Sequence, residues 1–329
     1  MIKNSGHDLV QLQGQFFGLL RDKGRSPNTL KNYKTDLDCF NQYLFSKQKN
    51  LKMDHISLPL IKQYGEFLQT KYSSDNSRRR RVQALRMFFD YLVEKELYKQ
   101  NPVRSIPPSP KFLDIPRPTP FSDLKTVWEF LLEESNQGNR MGRLISQRNQ
   151  VALILIYGSG LKVSDISGLK MEQVFLSKKS NRVLISPAKR DPYTIPLAPI
   201  FAPVFEKYLE DLQKAKREFG TDFDQVLFNA NPYRILSGGL STRGLEIVFE
   251  EYRKKLIINL TPKSLRQACI FKWLQQGEKE GTIKEWMGVA PSYSLKLYKE
   301  HAAQHLYRDD FLEELYKHHN SKKSLPKSF

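Results

Sequence analysis

The chain has 329 residues, 40% of them hydrophobic, with a formal net charge of +18 from 53 Lys and Arg against 35 Asp and Glu. That length points to two domains, and the apolar fraction excludes a disordered chain. The positive excess favours a polyanionic partner, with nucleic acid ahead of an anionic membrane surface.

The first hundred residues read as four helices with short connections. Leu9, Leu12, Phe16, Phe17 and Leu20 recur at helical spacing, and Gly24-Arg25-Ser26 ends that run. Ser26 and Pro27 provide the cap and first position of a second helix, whose apolar face is Leu30, Tyr33, Leu37, Phe40 and Tyr43-Leu44. A third helix covers Leu58 to Thr70, and a fourth starts near Ser77 with Val82, Leu85, Phe88-Phe89 and Leu92. This fourth helix opens with Arg78, Arg79, Arg80 and Arg81 and adds Arg86. Four consecutive arginines wrap all round a helix, so some must face a partner or the domain seam; phosphate contacts are the favoured reading.

Asn101-Pro102 ends the helical unit, and residues 103–120 hold Pro107, Pro108, Pro110, Pro116, Pro118 and Pro120. So dense a run of prolines predicts a stiff, extended linker. The expected organisation is therefore a helical domain at 1–102, a linker at 103–120 and a second domain at 121–329. The second domain starts with a helix near Ser122 carrying Leu124, Val127, Trp128 and Leu131-Leu132. A more apolar helix, Asn149 to Tyr157, ends at Gly158-Ser159-Gly160 and leads into Lys162-Val163-Ser164-Asp165-Ile166. Arg182–Ile185 and Tyr193–Leu197 alternate as strands around the turn Pro187 to Pro192, and helices follow. The fold class is mainly α with a small antiparallel sheet.

Three features bear on the setting. Met1–Gly6 lacks the apolar run of a signal peptide, and no window approaches a membrane span. Cys39 and Cys269 sit in apolar helical patterns and read as core residues of a reducing compartment, not a disulfide or metal pair. A soluble cytoplasmic or nucleoid-associated protein is expected.

The last quarter carries the chemistry. Thr261-Pro262-Lys263-Ser264-Leu265-Arg266, then Trp286-Met287-Gly288-Val289, then Leu297-Tyr298 place an arginine, a helix-ending glycine and a late tyrosine in order. That order suggests a phosphate-gripping Arg266 and a nucleophilic Tyr298, with Tyr293 a nearby, weaker candidate.

The order of segments resembles the tyrosine recombinase/integrase family, of the phage-integrase and Xer type. Ser26-Pro27-Asn28-Thr29-Leu30 with Tyr33 and Leu37 looks like the start of the family's core-binding domain, and Asn101-Pro102 like its end. Gly160-Leu161-Lys162-Val163-Ser164-Asp165 looks like the family's Gly-Leu-Arg-hydrophobic-Ser-Glu segment, and Pro262–Arg266 like its Pro-His-x-Leu-Arg segment. Met287-Gly288-Val289 looks like its Leu-Gly-His, and Tyr298 falls ten residues after Gly288, where the family places its nucleophile. The resemblance implies an N-terminal core-binding (SAM-like) domain and a C-terminal catalytic domain forming a clamp round DNA.

The implied activity is site-specific recombination: the tyrosine attacks a phosphodiester, a 3′-phosphotyrosyl bond forms and a 5′-hydroxyl leaves, with no cofactor or metal. Lys189 on the strand turn corresponds to the family's general acid, with Arg190 beside it as the alternative cation. Lys162 stands for the first arginine of the family, Lys263 for a histidine, Val289 for a His or Trp, and Asp165 for a glutamate. Lysine keeps the charge of an arginine but loses its two-pronged geometry, and valine neither donates nor accepts. Each lost transition-state donor costs on the order of 3 kcal/mol. Two other functions therefore accompany the first: a recombinase-derived DNA-binding protein with weak or no cleavage, and a type IB topoisomerase-like enzyme. The implied partners are double-stranded DNA carrying recombination sites and further subunits, as a tetramer or with related recombinases, without a membrane. In the tail, Leu312, Leu315 and Tyr316 form an apolar stripe that fits either a neighbouring protomer or its own domain.

Overall fold

The computed structural model describes residues 8–53, 56–106, 115–137, 139–177, 179–187, 190–230, 236–302 and 311–315. They form two compact units, Met1–Leu113 and Asp114–Phe329.

The first unit is built from α1 (Leu9–Asp22), α2 (Pro27–Gln48), α3 (Leu58–Lys71) and α4 (Asp75–Glu94), followed by a 3-10 turn at Pro102–Ser105. Local chemistry sets the starts. The Asp8 carboxylate accepts the Val10 amide at 2.7 Å, and the Ser26 hydroxyl accepts the Thr29 amide at 3.2 Å ahead of Pro27. The apolar stripes meet in one core in which Phe40 packs edge-on to Tyr64 at 5.0 Å and Phe88 edge-on to Phe89 at 5.7 Å. Val103 and Ile106 are buried in the same core. The start of the proline-rich stretch thus belongs to the helical unit; residues 107–114, with Pro107, Pro108 and Pro110, lie outside the described residues.

The arginine run on α4 is largely turned to the unit's own use. Arg81 is buried, with its guanidinium 3.7 Å from the centroid of the Tyr72 ring and Nη1 donating to the Ser77 carbonyl at 3.0 Å. Arg80 pairs at 2.9 Å with Asp36, whose side chain is fully buried on α2. Arg78 donates to the Tyr72 carbonyl at 2.6 Å and pairs with Asp75; Arg79 donates to Asn76 at 3.3 Å. Arg86 is half-buried, and its carbonyl accepts the Asn101 amide at 2.8 Å. Arg81, among the residues expected to contact phosphate, thus lies buried against an aromatic ring of its own unit. Burial pushes the Asp36 carboxyl above the usual carboxylate range although Arg80 pulls the other way. Arg80→Ala is expected to destabilise this unit by about 2 kcal/mol, below the cost of breaking a fully buried pair because Arg80 is itself half exposed. Chemical denaturation measures it, and DNA affinity of the intact variant should stay within a few-fold.

The second unit surrounds α6 (Arg140–Ser159), flanked by α5 (Phe121–Gln137), α8 (Phe201–Phe219) and α10 (Pro262–Gln275). Every residue from Val151 to Tyr157 is buried. The helix begins nine residues before the expected Asn149, because the polar run Ser146–Gln150 is buried too and each of its side chains finds an internal partner, although Gln147 Oε1 has none. Ser146 and Gln150 both donate to the Leu131 carbonyl, Gln147 to Asp211, Arg148 to the Phe228 carbonyl and Asn149 to the Tyr252 hydroxyl.

After the short α7 (Val163–Ser167) comes an antiparallel sheet of β1 (Val174–Phe175), β2 (Arg182–Ile185) and β3 (Tyr193–Pro196), in which Val183 pairs with Ile195. The second and third strands match the expectation, and the first adds an edge. A separate hairpin, β4 (Phe228–Ala230) with β5 (Leu236–Gly238), precedes α9 (Thr242–Leu256). The unit continues with α11 (Glu280–Trp286) and α12 (Lys296–His301).

Residues 115–120 form a strap on α10. The Arg117 amide donates to Gln267 at 3.0 Å, the Thr119 amide to the Ser264 carbonyl at 3.1 Å, and the two hydroxyls of Thr119 and Ser264 meet at 2.7 Å. The end of the predicted linker is therefore part of the second unit. Residues 311–315 are helical and dock on this same unit: Phe311 packs edge-on to Phe121 and Trp128, and the Leu312 side chain lies over Gly158. Within the single chain, Phe311, Leu312 and Leu315 pack on their own domain. Tyr316 and Lys317-His318-His319 lie outside the described residues.

Candidate active site

Helix α10 is the foundation of the site. Thr261 caps it, its hydroxyl accepting the Ser264 amide at 2.9 Å, while Ser264 returns a contact to the Thr261 amide at 2.9 Å. Pro262 occupies the first turn. Ser264, Leu265 and Gln267 to Trp273 are buried, so the helix is gripped on most of its circumference. The remaining face holds exposed Lys263 and, three residues on, half-buried Arg266.

Arg266 is fixed at two points. Its Nε donates to the Gly160 carbonyl at 2.6 Å and its Nη2 to the Met287 carbonyl at 2.5 Å. Two of the five guanidinium donors are thereby used for position, and three remain for a ligand. Both anchoring carbonyls sit at glycine turns. Gly160 closes α6 with φ +63°, and a Cβ there would meet the Trp273 ring at 2.6 Å. Gly288 follows α11 with φ +62°, and a Cβ there would collide with the Tyr193 hydroxyl.

Lys162 leaves the Gly160 turn and is half-buried beside Arg266. Asp165 accepts the backbone amide of Lys162 at 3.0 Å, so the shorter carboxylate anchors the main chain of this lysine. Burial pulls the Lys162 ammonium below its ordinary range, the charge of Arg266 adds to this, Asp165 opposes it and Arg190 adds again. Arg190 is exposed and lies on the Tyr193 ring, 4.2 Å from its centroid. Lys189 lies outside the described residues.

Tyr298, on α12, is half-buried with its ring 5.5 Å from that of Phe271. Val289 donates its amide to the Lys284 carbonyl at 3.1 Å and packs against the cluster of Cys269, Ile270, Trp273, Ile283, Met287 and Leu295. Cys269 is fully buried and its thiol is pushed up to about 12, as befits a core residue; Cys39 is buried in the first unit.

One cavity of about 780 Å³ is lined by Lys162, Lys263, Arg266, Val289, Tyr293 and Tyr298 together with α9 residues. The structure thus brings together the expected site residues that it describes in the second unit, save Asp165, which reaches the cavity through Lys162, and Arg190, which lies outside its lining against Tyr193 and beside Gly288. Tyr293 lines it as well, so lining alone does not separate the two tyrosines. The reading of the sequence missed α9, which contributes Arg243, Glu246, Glu250 and Arg253. Their spacing marks one face of a helix and was the available signal. It also missed Tyr193, which looked like an ordinary strand residue. Among the described residues no group of three or more His, Cys, Asp or Glu side chains could hold a metal ion. Five cations, Lys162, Arg243, Arg253, Lys263 and Arg266, outnumber the two carboxylates Glu246 and Glu250 on this concave surface, so with two phenols on its wall it can bind an anionic group and stabilise charge that develops on it.

Residues 14–96 match the phage integrase N-terminal SAM-like domain family. Tyrosine recombinase XerD of Listeria innocua is 26% identical over 282 residues, covering 85% of this chain and 90% of the relative. Tyrosine recombinase XerC of Oceanobacillus iheyensis is 24% identical over 295 residues, covering 87% and 89%. Among solved structures, a lambda integrase dimer bound to a COC′ core site aligns with a TM-score of 0.65 at 14% identity, over 90% of this chain and 78% of that one. The XerH recombinase bound to a palindromic difH substrate, a post-cleavage complex, aligns with a TM-score of 0.64 at 17% identity, over 84% and 77%. No described helix is long and apolar enough to cross a membrane. The helical N-terminal unit thus matches the SAM-like domain of phage integrases, and likenesses to tyrosine recombinases span most of the chain's length.

Proposed function

We propose that this protein is a site-specific DNA recombinase that breaks and rejoins strands through Tyr298. The observation that carries the reading is the shared cavity of Tyr298, Arg266, Lys263 and Lys162. The Tyr298 oxygen attacks the phosphorus, an O–P bond forms, the bond to the 5′-oxygen breaks, and the phosphate stays on the 3′ side. The phenol loses one proton and the 5′-oxygen gains one, so the step is proton-neutral. Lys189 is the donor assigned to the 5′-oxygen. Arg266 offers its three outward donors to the phosphate, while Lys263 and Lys162 add charge. The unit Met1–Leu113 acts as the core-binding domain and Asp114–Phe329 as the catalytic domain on duplex DNA, with four subunits assembling on two sites in the cytoplasm.

Trapping tests this reading. Nicked duplexes with a randomised centre are incubated with the protein, and covalent adducts are isolated under denaturing conditions. Recovery of a DNA-linked protein supports cleavage. Salt-sensitive DNA binding without any adduct rejects it and leaves a DNA-binding relative, a second reading favoured by the apolar packing of Val289.

The lowered Lys162 ammonium range has a kinetic consequence. Below its titration point Lys162 is charged and contributes to phosphate binding; as pH rises through that point the contribution is lost, earlier than for an ordinary lysine. The pH profile of kcat/KM reports the free enzyme. An alkaline fall is expected in the wild type and should shift to higher pH or vanish in Lys162→Arg, since arginine keeps its proton throughout.

A further inference from the structure

We propose that Arg190, held flat on the ring of Tyr193, is a catalytic cation of this site, gripping the scissile phosphate in place of the two-pronged contact that Lys162 cannot make. The inference rests on the cleavage reading above and gives the neighbour of Lys189 on the strand turn a role distinct from that of a proton donor.

The geometry is specific. The Arg190 guanidinium lies 4.2 Å from the centroid of the Tyr193 ring, a cation–π contact that removes much of the freedom of an exposed arginine. Its Nη1 is 3.2 Å from where a Cβ of Gly288 would stand, and the Tyr193 hydroxyl reaches the same spot. Met287, one residue earlier, is the residue whose carbonyl holds Arg266. Two guanidinium groups therefore flank consecutive residues of one turn, from opposite elements: α10 on one side, the turn leading into β3 on the other. Their charges both bear on the Lys162 ammonium, and those of Arg190 and Arg266 on the Tyr193 phenol as well. Gly288 is needed at the meeting point, since any side chain there would push the Tyr193 hydroxyl away and Arg190 with it.

The chemistry follows from the charge of the transition state. A pentacoordinate phosphorus carries two non-bridging oxygens with growing negative charge. Arg266 covers one with its outward donors. Lys162 is a compact point charge, and Val289 brings no donor, so the second oxygen lacks a planar fork. Arg190 supplies it. Arginine does not give up a proton at accessible pH, so Arg190 acts by electrostatics and hydrogen bonding, and protonation of the 5′-oxygen stays with another group. Tyr193 is a positioning residue: it never meets the phosphate but sets where Arg190 can be.

The test compares single-turnover cleavage by full-length variants on a trapped duplex and on the same duplex with sulfur replacing the 5′-bridging oxygen. A sulfur leaving group needs no proton, so it rescues loss of a general acid but not loss of a phosphate-gripping cation. Arg190→Ala is expected to slow cleavage roughly a hundredfold on both substrates, with melting temperature unchanged. Tyr193→Phe keeps the ring and should cleave within a few-fold of wild type, whereas Tyr193→Leu should lose most of what Arg190→Ala loses. Normal cleavage by Arg190→Ala overturns the proposal, as does rescue of Arg190→Ala by sulfur, which would make it part of the proton path. If the wild type itself forms no adduct, the cleavage reading fails, and this assignment fails with it; an active wild type with an unaffected Arg190→Ala sinks the assignment alone.

Discussion

Tyr298→Phe leaves the protein folded and able to hold DNA, and abolishes the covalent adduct. Removal of a nucleophile typically costs on the order of 10⁶-fold in turnover, which for a trapped-substrate assay means disappearance of signal. The change deletes one oxygen from a ring that packs 5.5 Å from Phe271 in a half-buried setting, so the packing that fixes α12 survives. Tyr293→Phe is the matched control, because Tyr293 lines the same cavity yet is exposed and one turn outside α12. It should form adduct at nearly the wild-type rate. Loss of the adduct in Tyr293→Phe with retention in Tyr298→Phe would reassign the nucleophile. Peptide mapping of the trapped DNA gives the same answer directly.

Arg266→Lys is expected to be the second most damaging conservative change. Cleavage should fall by roughly 10²- to 10³-fold, the usual effect of removing one preorganised donor from a charge-stabilising site. Two causes combine. The planar fork that reaches the phosphate is lost, and so are the contacts to the Gly160 and Met287 carbonyls, which a single ammonium cannot reproduce together. DNA affinity should drop less than tenfold, since charge is retained and most of the binding free energy comes from many phosphate contacts. The split between chemistry and binding, read as cleavage rate against dissociation constant at fixed salt, distinguishes this from general unfolding. A proportional loss in both would show that Arg266 serves only to hold the fold.

The landmarks of the proposed site are legible in the sequence because they stand at places where local chemistry is explicit. Gly160 and Gly288 lie where the chain turns with positive φ, and Thr261-Pro262 starts a helix in the most regular way. Arg266 and Tyr298 follow from those landmarks by counting. What was not legible depended on contacts distant in sequence. The start of α6 was hidden because Ser146–Gln150 read as a polar segment; only Leu131, Asp211, Phe228 and Tyr252, brought in by four other segments, make burial of that run possible. The pairing of Arg80 was hidden for the same reason, since Asp36 is remote along the chain, and the stacking of Arg81 depends on how the turn before α4 folds Tyr72 back against that helix. Arg190 was visible only as a neighbour of Lys189 until its stacking on Tyr193 gave it an address.

The strap at residues 115–120 gives the start of α10 a second character. Thr119 and Arg117 are tied to Ser264 and Gln267, which bracket Arg266 in sequence. The same turn of α10 that carries Arg266 is therefore stitched to residues 117–119, so Thr119→Val is expected to loosen the start of that helix, read as faster amide exchange at Ser264 and Leu265.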